Sequence, residues 1–152
     1  MKQEMMTIVR QQELAPRIYE LVLAGELVQQ MKMPGQFLHI RVPRNDLLLR
    51  RPISINQYDQ DAGTCTIIYR VVGDGTKFFA ELSACDKLDV MGPLGHGFEI
   101  DQLNAGDTAF IVGGGIGVPP LYPLSKELNE KGIKVIHFLG FGTNEVVYYA
   151  EE

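Results

Sequence analysis

The sequence has no tryptophan, only two cysteines among its 152 residues, and no block of like charge. Each shortage removes a class of protein. Two cysteines cannot staple a small secreted scaffold. Cys65 lies in a strand-like run and Cys85 near a loop, so buried or idle thiols in a reducing compartment are expected rather than a disulfide. No apolar run approaches the ~18 residues that cross a bilayer. Met1-Lys2-Gln3-Glu4 has no signal-peptide core behind it, so a cytoplasmic location is expected. Net charge is −5 with the signs interspersed, and Arg50-Arg51 is the only adjacent basic pair, which argues against a nucleic-acid stripe or a membrane-surface helix. His39, His96 and His137 lack ligand-like spacing, and no serine or cysteine stands beside an evident base. Neither a metal site nor a covalent nucleophile is therefore expected.

What is present is 45% hydrophobic and 22% charged, enough for one substantial core but short for two complete domains. Short β-type runs recur at 6–10, 18–23, 36–42, 52–57, 64–71 and 87–91, with turn residues such as Pro34-Gly35 and Asp61-Ala62-Gly63 between them. Six such runs predict a small six-stranded antiparallel Greek-key barrel over residues 1–100, and 76–84 reads as a short helix opened by Thr76. The polar stretch 97–107 predicts a boundary. Beyond it the pattern alternates: a strand at 108–112, a helix at 120–131 with Leu121, Leu124 and Leu128 on one face, a strand at 133–139, and a further element from Asn144. Residues 101–152 thus read as the first part of a parallel-sheet nucleotide-binding domain. Two parallel strands cannot cover their own faces, so this part must lean on the barrel, pair with a second copy, or stay loose.

Three clusters carry candidate chemistry. Arg51-Pro52-Ile53-Ser54 heads one strand, and Ile68-Tyr69-Arg70 ends another just before Gly73-Asp74-Gly75-Thr76. A pyrophosphate needs a planar fork of donors and a backbone without Cβ that can approach closely, which Arg51 and the Gly75-Thr76 loop offer. With Thr76 opening the helix, the N–H groups of Gly75, Thr76 and Lys77 would face the anion. The Ser54 hydroxyl could reach the polar edge of an isoalloxazine. Each piece has a plainer reading: a strand-edge arginine, a turn before a helix, a hydroxyl bonded within the sheet. The third cluster, Gly113-Gly114-Gly115-Ile116-Gly117-Val118-Pro119-Pro120, reads as a phosphate-binding strand-loop-helix, or else a tight turn, because it lacks the strict Gly-x-Gly-x-x-Gly spacing.

These clusters, in this order and with Met91-Gly92-Pro93-Leu94-Gly95 between them, resemble the ferredoxin reductase superfamily. The narrower resemblance, carried by 49–55, 67–71, 92–95 and 113–120, is to the electron transfer subunit of type B dihydroorotate dehydrogenase, and runs from about Thr7 to the last residue. It implies FAD on the barrel, held through Arg51, Pro52, Ile53, Ser54, Ile68, Tyr69, Arg70, Gly75 and Thr76, partly by backbone, and NAD at Gly113, Gly114, Gly115 and Gly117. It further implies a catalytic dihydroorotate dehydrogenase partner in a heterotetramer, and electrons passed from dihydroorotate through a [2Fe-2S] centre and FAD to NAD in pyrimidine biosynthesis. Many superfamily members place an aromatic between the arginine and the serine, whereas Ile53 stands here; Tyr69, or an aromatic outside the chain, would have to stack on the flavin. The cluster requires four thiolates, more than Cys65 and Cys85 supply, so the chain reads as truncated, with an incomplete NAD site and little NADH oxidoreductase activity of its own. Two alternatives stand beside this reading: the electron-carrying subunit of another flavin reductase, or a non-catalytic interaction module; under any of the three, the open sheet edge offers the chain a surface for homodimerisation.

Overall fold

A computed structural model describes residues 1–149. Six strands close into an antiparallel barrel: β1 (Lys2–Ala15), β2 (Ile18–Ala24), β3 (Phe37–Ile40), β4 (Arg51–Asp59), β5 (Thr64–Arg70) and β6 (Lys87–Leu94), in the spatial order β1-β2-β5-β4-β3-β6. The connection from β2 to β3 jumps two strands, which makes the closed sheet a Greek key. Alternation along the strands decides what is inside: Leu21 and Leu23 of β2 lie opposite Ile67 and Cys65 of β5, and all four are buried. Phe79, Leu38, Ile40, Leu88 and Val90 join them in one core.

Strand β1 is longer than its apolar run predicts. Its first half pairs with β6, from Lys2 opposite Gly92 to Thr7 opposite Lys87, and its second half pairs with β2. Only Met6 and Ile8 of this strand are buried. The polar residues on either side of them are held by ladder hydrogen bonds, which leave no hydrophobic signature. A second unpredicted element is the 3₁₀ turn Glu26–Gln30, which buries Leu27 and Val28. The Glu4 carboxylate accepts from the N–H groups of Glu26 (3.0 Å) and Leu27 (2.7 Å), tying that turn to β1.

Helix α1 (Asp74–Ala80) begins two residues earlier than predicted, with Gly73 at the N-cap. Thr76 is its third residue rather than its cap. The Thr76 hydroxyl accepts from the N–H groups of Val72 (3.0 Å) and Gly73 (3.2 Å) and donates to the Gly73 carbonyl (3.0 Å), closing the turn on itself. Phe79, fully buried, plugs the helix into the barrel against the edge of Tyr69.

Beyond the barrel, Ile100 is already buried in a second cluster with Ile111, Leu124, Leu128 and Ile133. Strand β7 (Thr108–Gly114), helix α2 (Leu121–Glu130) and strand β8 (Lys134–Gly140) form a right-sized β-α-β unit, and β7 and β8 pair in parallel from Thr108–Lys134 to Gly114–Gly140. Helix α2 covers one face. On the other, Phe110 and Phe138 stack at 6.1 Å, both more than half exposed. The unit leans on the barrel: Val118 and Tyr148 pack against Ile18 and Ile68. From Asn144 the chain makes a single 3₁₀ turn, Asn144–Val146, followed by 147–149 in neither helix nor strand, and residues 150–152 of that expected element lie outside the described residues. Among the described residues no helix is long and apolar enough to cross a membrane.

Burial separates the two cysteines. Cys65 is inside the barrel, where desolvation pushes its thiol up to about 12, whereas Cys85 is exposed. Because the thiolate is the reactive form, a disulfide reagent at pH 8 is expected to titrate one thiol per native chain and the second only after denaturation. Two thiols reacting at equal rates in the native protein would contradict the closed barrel.

Candidate functional site

Strand β4 presents two faces. Arg51, Ile53 and Ile55 share one parity and Pro52, Ser54 and Asn56 the other. Ile55 is in the core and Ile53 packs against it, which carries Arg51 to the barrel rim beside helix α1. There the guanidinium lies directly against Gly75. A Cβ at Gly75 would sit 2.5 Å from Arg51 Nε and 3.1 Å from Cζ, so the absence of a side chain at Gly75 is what lets the guanidinium lie where it does. Arg51 and the 73–76 loop, distant in sequence, are thus brought together.

The adjacent arginine has a different task. Arg50 pairs with Asp89 at 2.9 Å, both largely buried, and also donates to the His39 and Asp89 carbonyls. Arg51 donates to the Leu49 carbonyl, and among the described residues no carboxylate pairs with it. Its remaining donors are available to an anion. The N–H groups of Asp74, Gly75 and Thr76 open the helix and have no intrahelical acceptor, whereas Lys77 N–H is engaged by the Gly73 carbonyl at 2.9 Å. The donor set predicted at Gly75, Thr76 and Lys77 therefore shifts one residue towards the N-terminus. With its hydroxyl spent on the turn, Thr76 offers backbone only.

Strand β5 corrects one expectation. Tyr69 points inward, 1% exposed; it stacks on Tyr19 at 5.8 Å and donates to Gln11 Oε1 at 2.9 Å. A ring in the core cannot stack on a ligand outside the barrel, so strand β5 has only its backbone near Tyr69 to offer. Ile68, of opposite parity, is buried against Val118 and Tyr148, and Arg70 is exposed. Ser54 is half-buried on the outer face of β4, opposite Phe37 of β3. Gln11 was not legible in the sequence. It receives the Tyr69 hydroxyl and donates to the carbonyls of Phe79 (3.0 Å) and Leu82 (2.9 Å), fastening the end of α1 to β1.

The second glycine cluster lies at the carboxyl ends of the parallel strands, where α/β sheets bind ligands. Gly113 and Gly114 finish β7, and Gly115–Gly117 form a 3₁₀ turn leading through Pro119 and Pro120 into α2. Gly115 has φ +52, and a Cβ at Gly113 would overlap Leu121. Gly117 is open to solvent on that criterion. The loop is tied down by residues that the motif does not include: Tyr148 donates to the Gly115 carbonyl at 2.6 Å, and Asn56 Nδ2 donates to the Pro119 carbonyl at 2.8 Å. Burial pushes the Tyr148 phenol up to about 12, so it stays a donor at neutral pH. Among the described residues no group of three or more histidine, cysteine or acidic side chains is placed to hold a metal.

Known proteins resemble this chain in both sequence and fold. The chain is 67% identical over 151 residues to the electron transfer subunit of dihydroorotate dehydrogenase B (NAD(+)) of Enterococcus faecalis, covering 99% of this chain and 57% of that protein. It is 54% identical to the subunit of the same name from Bacillus mycoides, covering 59% of it. The chain therefore spans somewhat more than half the length of the curated relatives it matches. Among solved structures, an NADH-dependent reduced ferredoxin-NADP oxidoreductase superposes with a TM-score of 0.86 at 27% identity, covering 97% of this chain and 52% of that one. The family model described as "Oxidoreductase FAD-binding domain" matches residues 6–98, the stretch holding the Arg51–Gly75 rim and the outer face of β4, and the chain belongs to that family.

Proposed function

We propose that this chain is the FAD-binding portion, with the start of the NAD-binding portion, of an electron transfer subunit that passes electrons from dihydroorotate oxidation to NAD in pyrimidine biosynthesis. The observation that carries the reading is the uncommitted Arg51 guanidinium lying on Gly75. A planar cation, a backbone without Cβ and free amide donors at one rim suit a pyrophosphate in charge and shape. Residues 1–100 would form the FAD-binding domain and 101–152 the first part of the NAD-binding domain.

The residues present fit FAD. Arg51 and the N–H groups of the 74–76 loop would hold its pyrophosphate, and Pro52 and Ser54 would meet the ring system on the outer face of β4. Ser54 supplies a hydroxyl there that can donate to, or accept from, the polar edge of the ring. Bound FAD exchanges a hydride for single electrons; the protein contributes position and exclusion of competing reactions. The Gly113–Gly117 loop would receive the phosphates of NAD. A [2Fe-2S] centre does not fit this chain, because Cys65 is enclosed in the barrel and Cys85 is the only other thiol. The names of the curated relatives support a catalytic dihydroorotate dehydrogenase subunit as partner; assembly with it as a heterotetramer and a cytoplasmic location belong to the same proposal. A second reading, an electron-carrying subunit of another ferredoxin reductase-like flavoenzyme, is favoured by the structural match to the ferredoxin-NADP oxidoreductase and differs in partner rather than in site.

The visible absorption spectrum of the purified chain tests this reading, together with identification of the molecule released on denaturation. FAD is expected; a colourless protein that cannot be reconstituted would sink it. Arg51→Ala is expected to weaken FAD binding by roughly 10–100-fold, the worth of about 1.5–3 kcal/mol for hydrogen bonds to a charged group. Arg50→Ala should instead lower the melting temperature with a smaller change in affinity, because Arg50 joins strands rather than facing the anion. Equal flavin loss in both would assign the site to the wrong arginine. Gly75→Ala is expected to displace the Arg51 side chain, and a fluorescence titration should show it mimicking Arg51→Ala while the barrel keeps its thermal stability.

A further inference from the structure

Between the barrel and the β-α-β unit the contacts are mostly apolar: Ile18 and Ile68 meet Val118 and Tyr148. Such contacts are non-directional and hold two bodies together without fixing their register. One polar side chain crosses the junction with both ends of its amide engaged. Asn56 is 0% exposed. Its Nδ2 donates to the Pro119 carbonyl at 2.8 Å, and its Oδ1 accepts from the Tyr149 hydroxyl at 2.9 Å. The carbonyl can only accept, so it dictates the orientation of the amide, and the hydroxyl completes it.

Position makes this more than a buried hydrogen bond. Asn56 follows Ser54 by two residues in β4, at the irregularity that shifts the register with β5 between Ile55 and Gln57, roughly 7 Å along the strand. Pro119 follows Gly117 by two residues in the nucleotide loop. One side chain therefore connects the strand face assigned to the flavin ring with the loop assigned to the nucleotide. Hydride transfer requires reacting atoms about 3–3.5 Å apart, and a misplacement of about 1 Å costs on the order of 10²-fold in rate.

We infer that Asn56 is a positioning residue for nicotinamide–flavin transfer: it sets the glycine loop at a fixed distance from the flavin strand without touching either ligand's reacting atoms. The inference rests on the proposed flavin and nucleotide sites. Replacing the amide frees the loop to settle elsewhere, while Arg51, Gly75 and Ser54 are left in place.

The test compares two reductants of the FAD-loaded chain under anaerobic conditions. NADH is guided by the loop, whereas N-benzyl-dihydronicotinamide carries the same reactive ring without phosphates and is not. Asn56→Leu removes both hydrogen bonds at similar volume, Asn56→Asp keeps the acceptor for Tyr149 but loses the donor to Pro119, and Tyr149→Phe removes the Oδ1 partner while leaving the Nδ2 bond to Pro119. The ratio of NADH to N-benzyl-dihydronicotinamide reduction rates should fall about tenfold or more in both Asn56 variants, less in Tyr149→Phe, with FAD affinity within about twofold of the parent. Amide exchange over 113–118 should rise several-fold in the Asn56 variants while the barrel strands stay protected. An unchanged ratio, or equal loss with both reductants, would overturn the inference. A parent that retains no FAD or shows no preference for NADH would refute the flavin or the nucleotide reading instead, and loop exchange would then decide the tether: no rise in Asn56→Leu would overturn it as well.

Discussion

Closure of the barrel by β1 is the constraint on which the rest of the structure depends. One strand pairs with β6 through its first half and with β2 through its second, so the sheet has no free edge there and every strand position is fixed relative to the others. Register decides which side of β4 faces outward. Slipping it by one residue would put Arg51 outside and Ser54 in the core. The Arg50–Asp89 pair reinforces that register at one place: Arg50 bonds carbonyls of β3 and β6, and Gln3 of β1 donates to the same carboxylate at 2.9 Å.

Helix α1 depends on the closed barrel in turn. Seven residues are too few to be stable as an isolated helix, and this one is held from both ends: Phe79 is sunk in the core, and Gln11 caps the carbonyls of Phe79 and Leu82. Tyr69, which the sequence offered as a stacking surface, serves this arrangement by donating to Gln11. The Thr76 hydroxyl closes the opposite end. The Gly75 backbone is therefore presented to Arg51 by contacts that reach back to β1 and β5.

The second unit is held less completely. Its α2 face is packed, while Phe110, Val112 and Phe138 remain exposed on the other, and its attachment to the barrel combines a small apolar cluster with the Asn56 amide. The two hydrogen bonds of one side chain beside a non-directional apolar cluster have a large effect on orientation and a small one on total burial. That is why the residues governing the relation between the two glycine-bearing loops differ from those governing stability.

Much of this was legible in the sequence. Alternation located all six barrel strands, and Leu121, Leu124 and Leu128 located α2, because burial on one face writes a period into the residues themselves. The glycines at 75, 113 and 115 stood out in the sequence as points of close approach or unusual backbone, and the structure places Arg51 against the first, Leu121 against the second and a left-handed φ at the third. The ends of β1, the turn at 26–30, the start of α1, and the roles of Gln11, Tyr69 and Asn56 were not. They are set by backbone ladders and by partners dozens of residues away, and a polar residue's sequence neighbours do not reveal whether its partner is water, a carbonyl or a ligand. The sequence by itself determined the barrel, the β-α-β unit and the residue types in the two loops. Only the tertiary structure decided which arginine was left free, which tyrosine turned inward and which amide bridged the two units, since each depends on distances that exist only after the barrel has closed.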